Sequence, residues 1–329
     1  MELQKPQNKS TKRPFLSAKR CGPKQASIRP SGVLSMVKSR WQKIFSCLVR
    51  TVYLCIHQIN QCKDMNRIGS ILQGFAPISL EEMGRVRLMN RTDTKYVTTV
   101  PRLVRLLEMA VGEYRVQEIG GLRDMPYYTC YFDTPDRDMF IQHERGRKAR
   151  QKIRLRVYES SGTAFLEIKD KDNRGRTDKK RVPASGAGED IVPYSDFIRA
   201  HSRYLPDSLV PQVRNRFYRI TLVNRLLIER LTIDTGLRFH NVPTGTGCSL
   251  EGLVIIELKR DGNTRSPAGE MLRGLHIPSA GFSKYCMGMA LTDRQARQNR
   301  LKPRLRMLGR LLCPEQPYGL SFTTVYNNK

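Results

Sequence analysis

A chain of 329 residues, 39% of them apolar, can bury the core of one large domain or two smaller ones. Its 58 Lys and Arg outnumber 30 Asp and Glu, and the formal net charge of +28 points to polyanionic partners: nucleic acid, anionic membrane or phosphorylated molecules. The 8 cysteines form no C-x-x-C pair and have no zinc-finger spacing to histidine, so free thiols in a reducing compartment are expected. There is no P-loop, no G-x-G-x-x-G and no convincing span: the best apolar run, "IFSCLVRTVYLCI" (44–56), is short and carries Arg50. An amphipathic surface helix is the alternative reading of that run. No signal-peptide pattern follows the first lysines.

In chain order, residues 1–65 read as a basic, disordered arm with one weak helix, or as sequence ahead of a translation start at Met65. In "FAPISLEEM", Ser79 with Glu82 three residues on predicts a capping box and a short helix. "RTDTKYVTTV" (91–100) alternates and suits a strand. Pro101 opens a helix with Leu103, Leu107, Val111 and Tyr114 on one face. Strands follow in "YYTCYFDT", "KIRLRVYE", "AFLEIKDK" and "RTDKKRV", then a partly helical connection over 184–215. Strands resume in "FYRITLVNR", "LLIERLTIDT", a short "GLRFHN" and "GLVIIELKR". A helix follows Ser283, and the tail from Arg294 is basic. Many strands joined by tight turns predict an α+β fold built on an antiparallel sheet, closed or nearly closed on itself.

The charges on these strands follow a pattern. In "QKIRLRVYE" (151–159), Lys152, Arg154, Arg156 and Tyr158 share one face, while Ile153, Leu155 and Val157 share the other. Glu167 and Lys169 share a face, as do Glu257 and Lys259, and Arg230 stands opposite Leu227, Glu229, Leu231 and Ile233. For any single strand, a wet sheet face explains this. For the set, the excess is cationic, and "LVIIELKR" is apolar on both faces up to Glu257. Arginines converging without matching carboxylates need an anion between them, and guanidinium forks suit phosphate. A charged inner face and an apolar outer face are therefore expected, with Lys152 at the rim.

Seven segments in order, "RTDTKY", "YFDTPD", "KIRLRVY", "FLEIKDKDNRGRTDKKR", "ERLTIDTGLRF", "LVIIELKR" and "GFSKYCMGMAL", resemble the polyphosphate polymerase (VTC) domain of the triphosphate tunnel metalloenzyme superfamily. The resemblance covers 66–306, leaving the arm (1–65) and a tail (307–329) outside. It implies an antiparallel β-barrel forming a triphosphate tunnel with a basic interior and helices outside. It also implies ATP and polyphosphate as substrates, Mn2+ or Mg2+ as cofactor, and transfer of the terminal phosphate to a growing chain. By the same resemblance, Lys95, Arg154, Arg156, Lys169, Arg225, Arg230 and Lys284 would be catalytic and phosphate-binding residues, joined in phosphate binding by Lys259, and Glu257 would hold the metal. Where eukaryotic members carry a further arginine, this chain has His143, with Arg145 and Arg147 nearby. Hydrolytic relatives carry Glu-x-Glu-x-Lys on the first strand; here it reads Arg91, Asp93, Lys95, which favours transfer or binding over hydrolysis.

A triphosphatase and a non-catalytic polyphosphate-binding module are the competing readings. Nucleic acid is disfavoured, since neither a readout helix nor an aromatic stacking ladder is visible. A cytoplasmic site, peripheral at the inner face of a membrane with a membrane-protein partner, is the expected setting.

Overall fold

The computed structural model describes residues 63–84, 91–185, 188–262 and 265–312. The arm up to residue 62, with its expected helix, and the tail beyond 312 lie outside the described residues.

Helix α1 runs through 63–73 and leads to strand β1 (Ala76–Ile78) and helix α2 (Leu80–Met83). The capping box at α2 is formed: Glu82 N donates to Ser79 Oγ at 3.1 Å, and Ser79 N donates to Glu82 Oε2 at 2.9 Å. Then come β2 (Arg91–Thr99), α3 (Val100–Ala110), β3 (Tyr114–Gln117), β4 (Asp124–Asp133), α4 (Asp138–Glu144), β5 (Arg150–Tyr158), β6 (Thr163–Lys171) and β7 (Thr177–Ala184). The second half holds α5 (Ser195–His201), β8 (Val210–Asn224), β9 (Glu229–Asn241), β10 (Gly247–Leu250), β11 (Leu253–Asp261), α6 (Pro267–Gly274), α7 (Lys284–Thr292) and α8 (Lys302–Leu312). Four details differ from expectation. Tyr114 belongs to β3, β8 begins inside the 184–215 connection, "GLRFHN" continues β9, and the basic tail forms helix α8 from Lys302.

The strands form one sheet of 11, ordered β2-β11-β9-β8-β4-β5-β6-β7, with β1, β3 and β10 attached at its side. All pairings are antiparallel except β1 with β3. The expected closed barrel is corrected: among the described residues no ladder joins β7 to β2. Both end strands have features that oppose pairing. On β7, Lys179, Lys180, Arg181 and Pro183 give a charged edge with a missing donor. Beside β2, residues 279–280 occupy the edge, where Tyr96 bridges Ser279 and Ala280 N donates to Lys95 O at 2.8 Å. The sheet nonetheless curls, since Lys95 on β2 and Lys169 on β6 line one cavity.

Alternation divides the sheet into two faces. On the outer face, Leu103 and Leu107 of α3 and Leu272 of α6 join a buried cluster with Ile220, Leu222, Leu231, Ile233, Ile256 and Leu258. Farther along, Ile198 of α5 packs with Ile153, Leu155, Leu166 and Ile168. Each such side chain contributes ~1.5–3 kcal/mol when fully buried. One end of the inner face is covered by α7. There Tyr285 and Met289 pack with Tyr131, Phe217, Phe239 and Ile255. Gly288 permits this seating, because a Cβ there would meet Phe239 Cδ1 and Val213 Cγ1 at 2.8 Å. Asp133 locks the helix in place: Tyr285 donates to its Oδ2 at 2.6 Å, and Met139 N and Phe140 N donate to the same carboxylate at 2.9 Å each.

Candidate anion-binding site

The strand register determines which side chains share the inner face. Lys95 stands opposite Glu257, Lys259 opposite Arg230, Arg219 opposite Asp234, Arg154 opposite Glu167, and Lys152 opposite Lys169. The alternate positions Ile153 and Leu155 are buried under α5. The charged face is thus the inner one, as the alternation predicts.

Three carboxylates each gather cations. Glu257 accepts from Lys95 and, at 2.6 Å, from Lys259. Asp234 accepts from Arg219 through Nε at 2.6 Å and a terminal nitrogen at 2.9 Å, and from Lys284. Glu167 accepts from Arg154 Nε at 2.7 Å and pairs with Lys179. Burial alone would raise these acids, but the cations hold all three well below the usual carboxylate range, Glu167 at about 2. Burial opposes the Arg154 charge, yet Glu167 beside it more than compensates, and its pKa rises.

At other cations, and at Lys284 despite its pair with Asp234, burial outweighs pairing. Arg156 is 8% exposed, its buried Nε has no hydrogen-bond partner, and its guanidinium lies 5.7 Å from the Tyr127 ring centroid. Burial and the neighbouring Arg154 push its pKa down. Burial lowers Lys152 to about 8, and its Nζ donates to Ser283 Oγ at 3.0 Å. Burial also lowers Lys284 to about 8, only partly offset by Asp234, and lowers Lys169. A cavity of about 330 Å³ opens beside this group, lined by Lys95, His143, Arg150, Lys152, Lys169, Lys171, Ser283, Cys286 and Arg304, among others.

The structure therefore brings Lys95, Arg154, Arg156, Lys169, Arg230, Glu257, Lys259 and Lys284 onto one face. It does not bring Arg225. That residue sits exposed in the turn after β8, donating from Nε to Gly112 O at 2.9 Å. The strand ends at Asn224, whose side-chain oxygen accepts from Ile228 N at 2.9 Å and Glu229 N at 3.0 Å, and the turn throws Arg225 outward. The β8 arginine that faces the cluster is Arg219, which the sequence reading missed. Its signal was its place in the alternation Phe217, Arg219, Thr221. Lys152 is likewise corrected, from the rim to the cavity wall, because α7 covers that end of the sheet. Arg145 and Arg147 are exposed, whereas His143 lines the cavity.

Among the described residues, no group of three His, Cys, Asp or Glu side chains converges as a metal cage. Glu257 is held between two ammonium groups, and Asp93 lies near enough to act on Lys169 and Lys259. Such a donor set suits a hard divalent cation that takes one or two carboxylates and completes its shell with phosphate oxygens and water. Cys130, Cys248 and Cys286 are buried free thiols, and no helix among the described residues is long and apolar enough to cross a membrane.

No curated protein matches the chain. Solved structures with a similar course include the PH1012 protein of Pyrococcus horikoshii OT3, at 11% identity over 57% of this chain and 91% of that one, TM-score 0.32. The PH1819 protein of the same organism matches at 13% identity over 61% and 98%, TM-score 0.34. A putative adenylyl cyclase from Hippeastrum, described as having a dominant triphosphatase activity, matches at 16% identity over 61% and 96%, TM-score 0.36. The family model that matches is the VTC domain, over residues 90–293. With more than half its length matched in this way, and with the motif order and the basic inner face described above, the chain belongs to the VTC domain family.

Proposed function

We propose that this chain is a metal-dependent polyphosphate polymerase, with 66–306 as the catalytic domain, 1–65 as a basic arm and 307–329 as a tail. The observation that carries the reading is Arg156, a guanidinium buried on the inner face with its Nε unpaired, beside Arg154, Arg219 and Glu167. A buried cation of this kind costs stability by itself, and a phosphate chain would supply the missing acceptor. In this reading the curled inner face is the wall of a tunnel. Arg154, Arg156 and Arg219 hold phosphate oxygens, and Lys95, Lys169, Arg230, Lys259 and Lys284 spread positive charge around the transferring group. A terminal oxygen of the acceptor attacks the γ-phosphorus of ATP, the bond to the β,γ-bridging oxygen breaks, and ADP leaves. That oxygen is already ionised, so the residues need only position and neutralise. Glu257, with Asp93, would hold Mn2+ or Mg2+, which when bound offsets charge on phosphate oxygens.

The first strand offers one carboxylate, Asp93, where hydrolytic relatives carry two, and Glu167, Asp234 and Glu257 are each held by cations, which argues against water activation and hence against a triphosphatase. A membrane-linked partner that receives the product, and a cytoplasmic position beside it, complete the proposal. The test is incubation of the full chain with ATP and manganese. Long-chain polyphosphate supports the reading. Orthophosphate without chains selects a triphosphatase, and saturable polyphosphate binding without turnover selects a binding module. Product that persists undiminished in Glu257→Ala would remove the metal role.

A further inference from the structure

Helix α8 lies beyond residues 90–293, which the family model matches. Its sequence, KPRLRMLGRLL, carries Lys302, Arg304, Arg306 and Arg310 and no acid. Residues three and four apart share a helix face, which puts Leu305, Leu308 and Leu312 on one side. That side is taken up by docking: Leu308 is buried, and Leu305 and Leu312 pack beside it against the cluster that holds Tyr285 and Met289 of α7. Lys302, Arg306 and Arg310 recur every four residues on another side, and all three are exposed. No carboxylate among the described residues pairs with any of them. Like charges four apart on a helix repel, so the stripe by itself weakens α8.

Arg304 points a different way. It lines the 330 Å³ cavity with Arg150 and Lys171, and its guanidinium lies against Gly281, where an added Cβ would meet Nη2 at 3.4 Å. The start of the helix is tied to the same wall: Arg300 N donates to Glu144 Oε1 at 2.9 Å, and Arg300 Nη1 donates to Arg145 O at 2.7 Å. One helix therefore joins the cavity to a row of unneutralised charge outside it. A row of cations suits a polyanion, and the docking of α8 decides which. An amphipathic helix binds a bilayer by burying its apolar face, and in α8 that face is already occupied by the core. Three charges alone give only a weak membrane contact. A polyphosphate chain held in the cavity is different. Its outer part is tethered beside α8, so contacts with the stripe form within one complex, and weak charges suffice. The stripe runs about 12 Å from Lys302 to Arg310, at the rise of an α-helix.

Resting on the polyphosphate reading above, we propose that Lys302, Arg306 and Arg310 form an exterior track for the polyphosphate chain, continuing outward from Arg304 at the cavity wall. Short phosphates end within the cavity and gain nothing from the track. Long chains reach it, are held more tightly and dissociate more slowly between transfers.

The test uses the full chain as wild type, as the triple variant Lys302→Gln, Arg306→Gln, Arg310→Gln, and as the charge-keeping variant Lys302→Arg, Arg306→Lys, Arg310→Lys. Each is titrated with tripolyphosphate and with long-chain polyphosphate over a range of salt. The triple variant should bind tripolyphosphate like wild type and long-chain polyphosphate about 10- to 100-fold more weakly, with the slope of log affinity against log salt shallower by about 2. The charge-keeping variant should match wild type with both ligands, which separates charge from the docking of α8. Equal long-chain affinity in wild type and the triple variant would overturn the track while leaving the polyphosphate reading intact, and so would a loss confined to binding of phosphatidylserine vesicles. An equal loss of both ligands, or a long-chain loss in the charge-keeping variant as large as in the triple variant, would assign α8 a structural role and overturn the track. Failure of wild type to bind either ligand would overturn both readings.

Discussion

The two faces of the same sheet obey opposite rules. On the outer face, Ile153, Leu155, Leu166 and Ile168 are buried against α5 and its flanking residues, and their burial favours the fold. On the inner face, one residue along in each strand, Arg156 and Glu167 are buried and Arg154 mostly so; pairing more than offsets burial at Arg154 and Glu167, but not at Arg156. The outer face thus holds the sheet together, and on the proposed reading the inner face is kept charged for a phosphate ligand. If that is right, substitutions on the two faces must separate stability from anion binding.

The largest effect should come from the inner face. Arg154→Ala and Arg156→Met should each reduce tripolyphosphate affinity by about 100-fold, since a charge-assisted contact is worth roughly 1.5–3 kcal/mol and its neighbours depend on it. Thermal melts of Arg156→Met should show stability unchanged or raised by about 1 kcal/mol, because an unsatisfied buried charge is removed. On the outer face, Ile153→Ala should lower stability by about 2–5 kcal/mol in denaturant unfolding, with affinity within about twofold for the folded fraction.

A smaller effect concerns pH. Lys152 and Lys284 are lowered to about 8 in the folded chain, below their unfolded value. Above about pH 8 the unfolded chain therefore holds more protons, and these lysines make the fold more stable as pH rises toward their unfolded pKa. Anion binding needs them charged and weakens over the same window. Melting and tripolyphosphate titration across that range should show opposite slopes, and parallel slopes would break the comparison. The smallest effect is a control. Arg225→Ala, in the exposed turn, should leave affinity unchanged in the same titration, and a large loss would return Arg225 to the site.

Alternation made the faces of β5, β6 and β11 legible from sequence alone, because a period of two needs no knowledge of partners. The ordered motifs likewise led to the family. Sheet closure was not legible. It depends on what lies at the edges, and here the lysines and Pro183 on β7 and the 279–280 segment beside β2 occupy them. Arg225 was misjudged because the end of β8 is set by Asn224 turning the chain, a local hydrogen-bond choice that residue type alone does not announce. Arg219 was missed because its role appears only once Asp234 stands opposite it and Lys284 arrives from α7, a helix far along the chain. Lys152 and His143 depend on the same docking of distant elements around one cavity.

The most direct measurement is a calorimetric titration of the full chain with tripolyphosphate, run beside a thermal melt, for wild type and Arg156→Met. The predicted result is saturable binding by wild type that falls about 100-fold in the variant while the melting temperature does not drop. Equal binding by the two proteins, or a variant that loses binding only because it unfolds, would contradict an inner face kept charged for a phosphate chain.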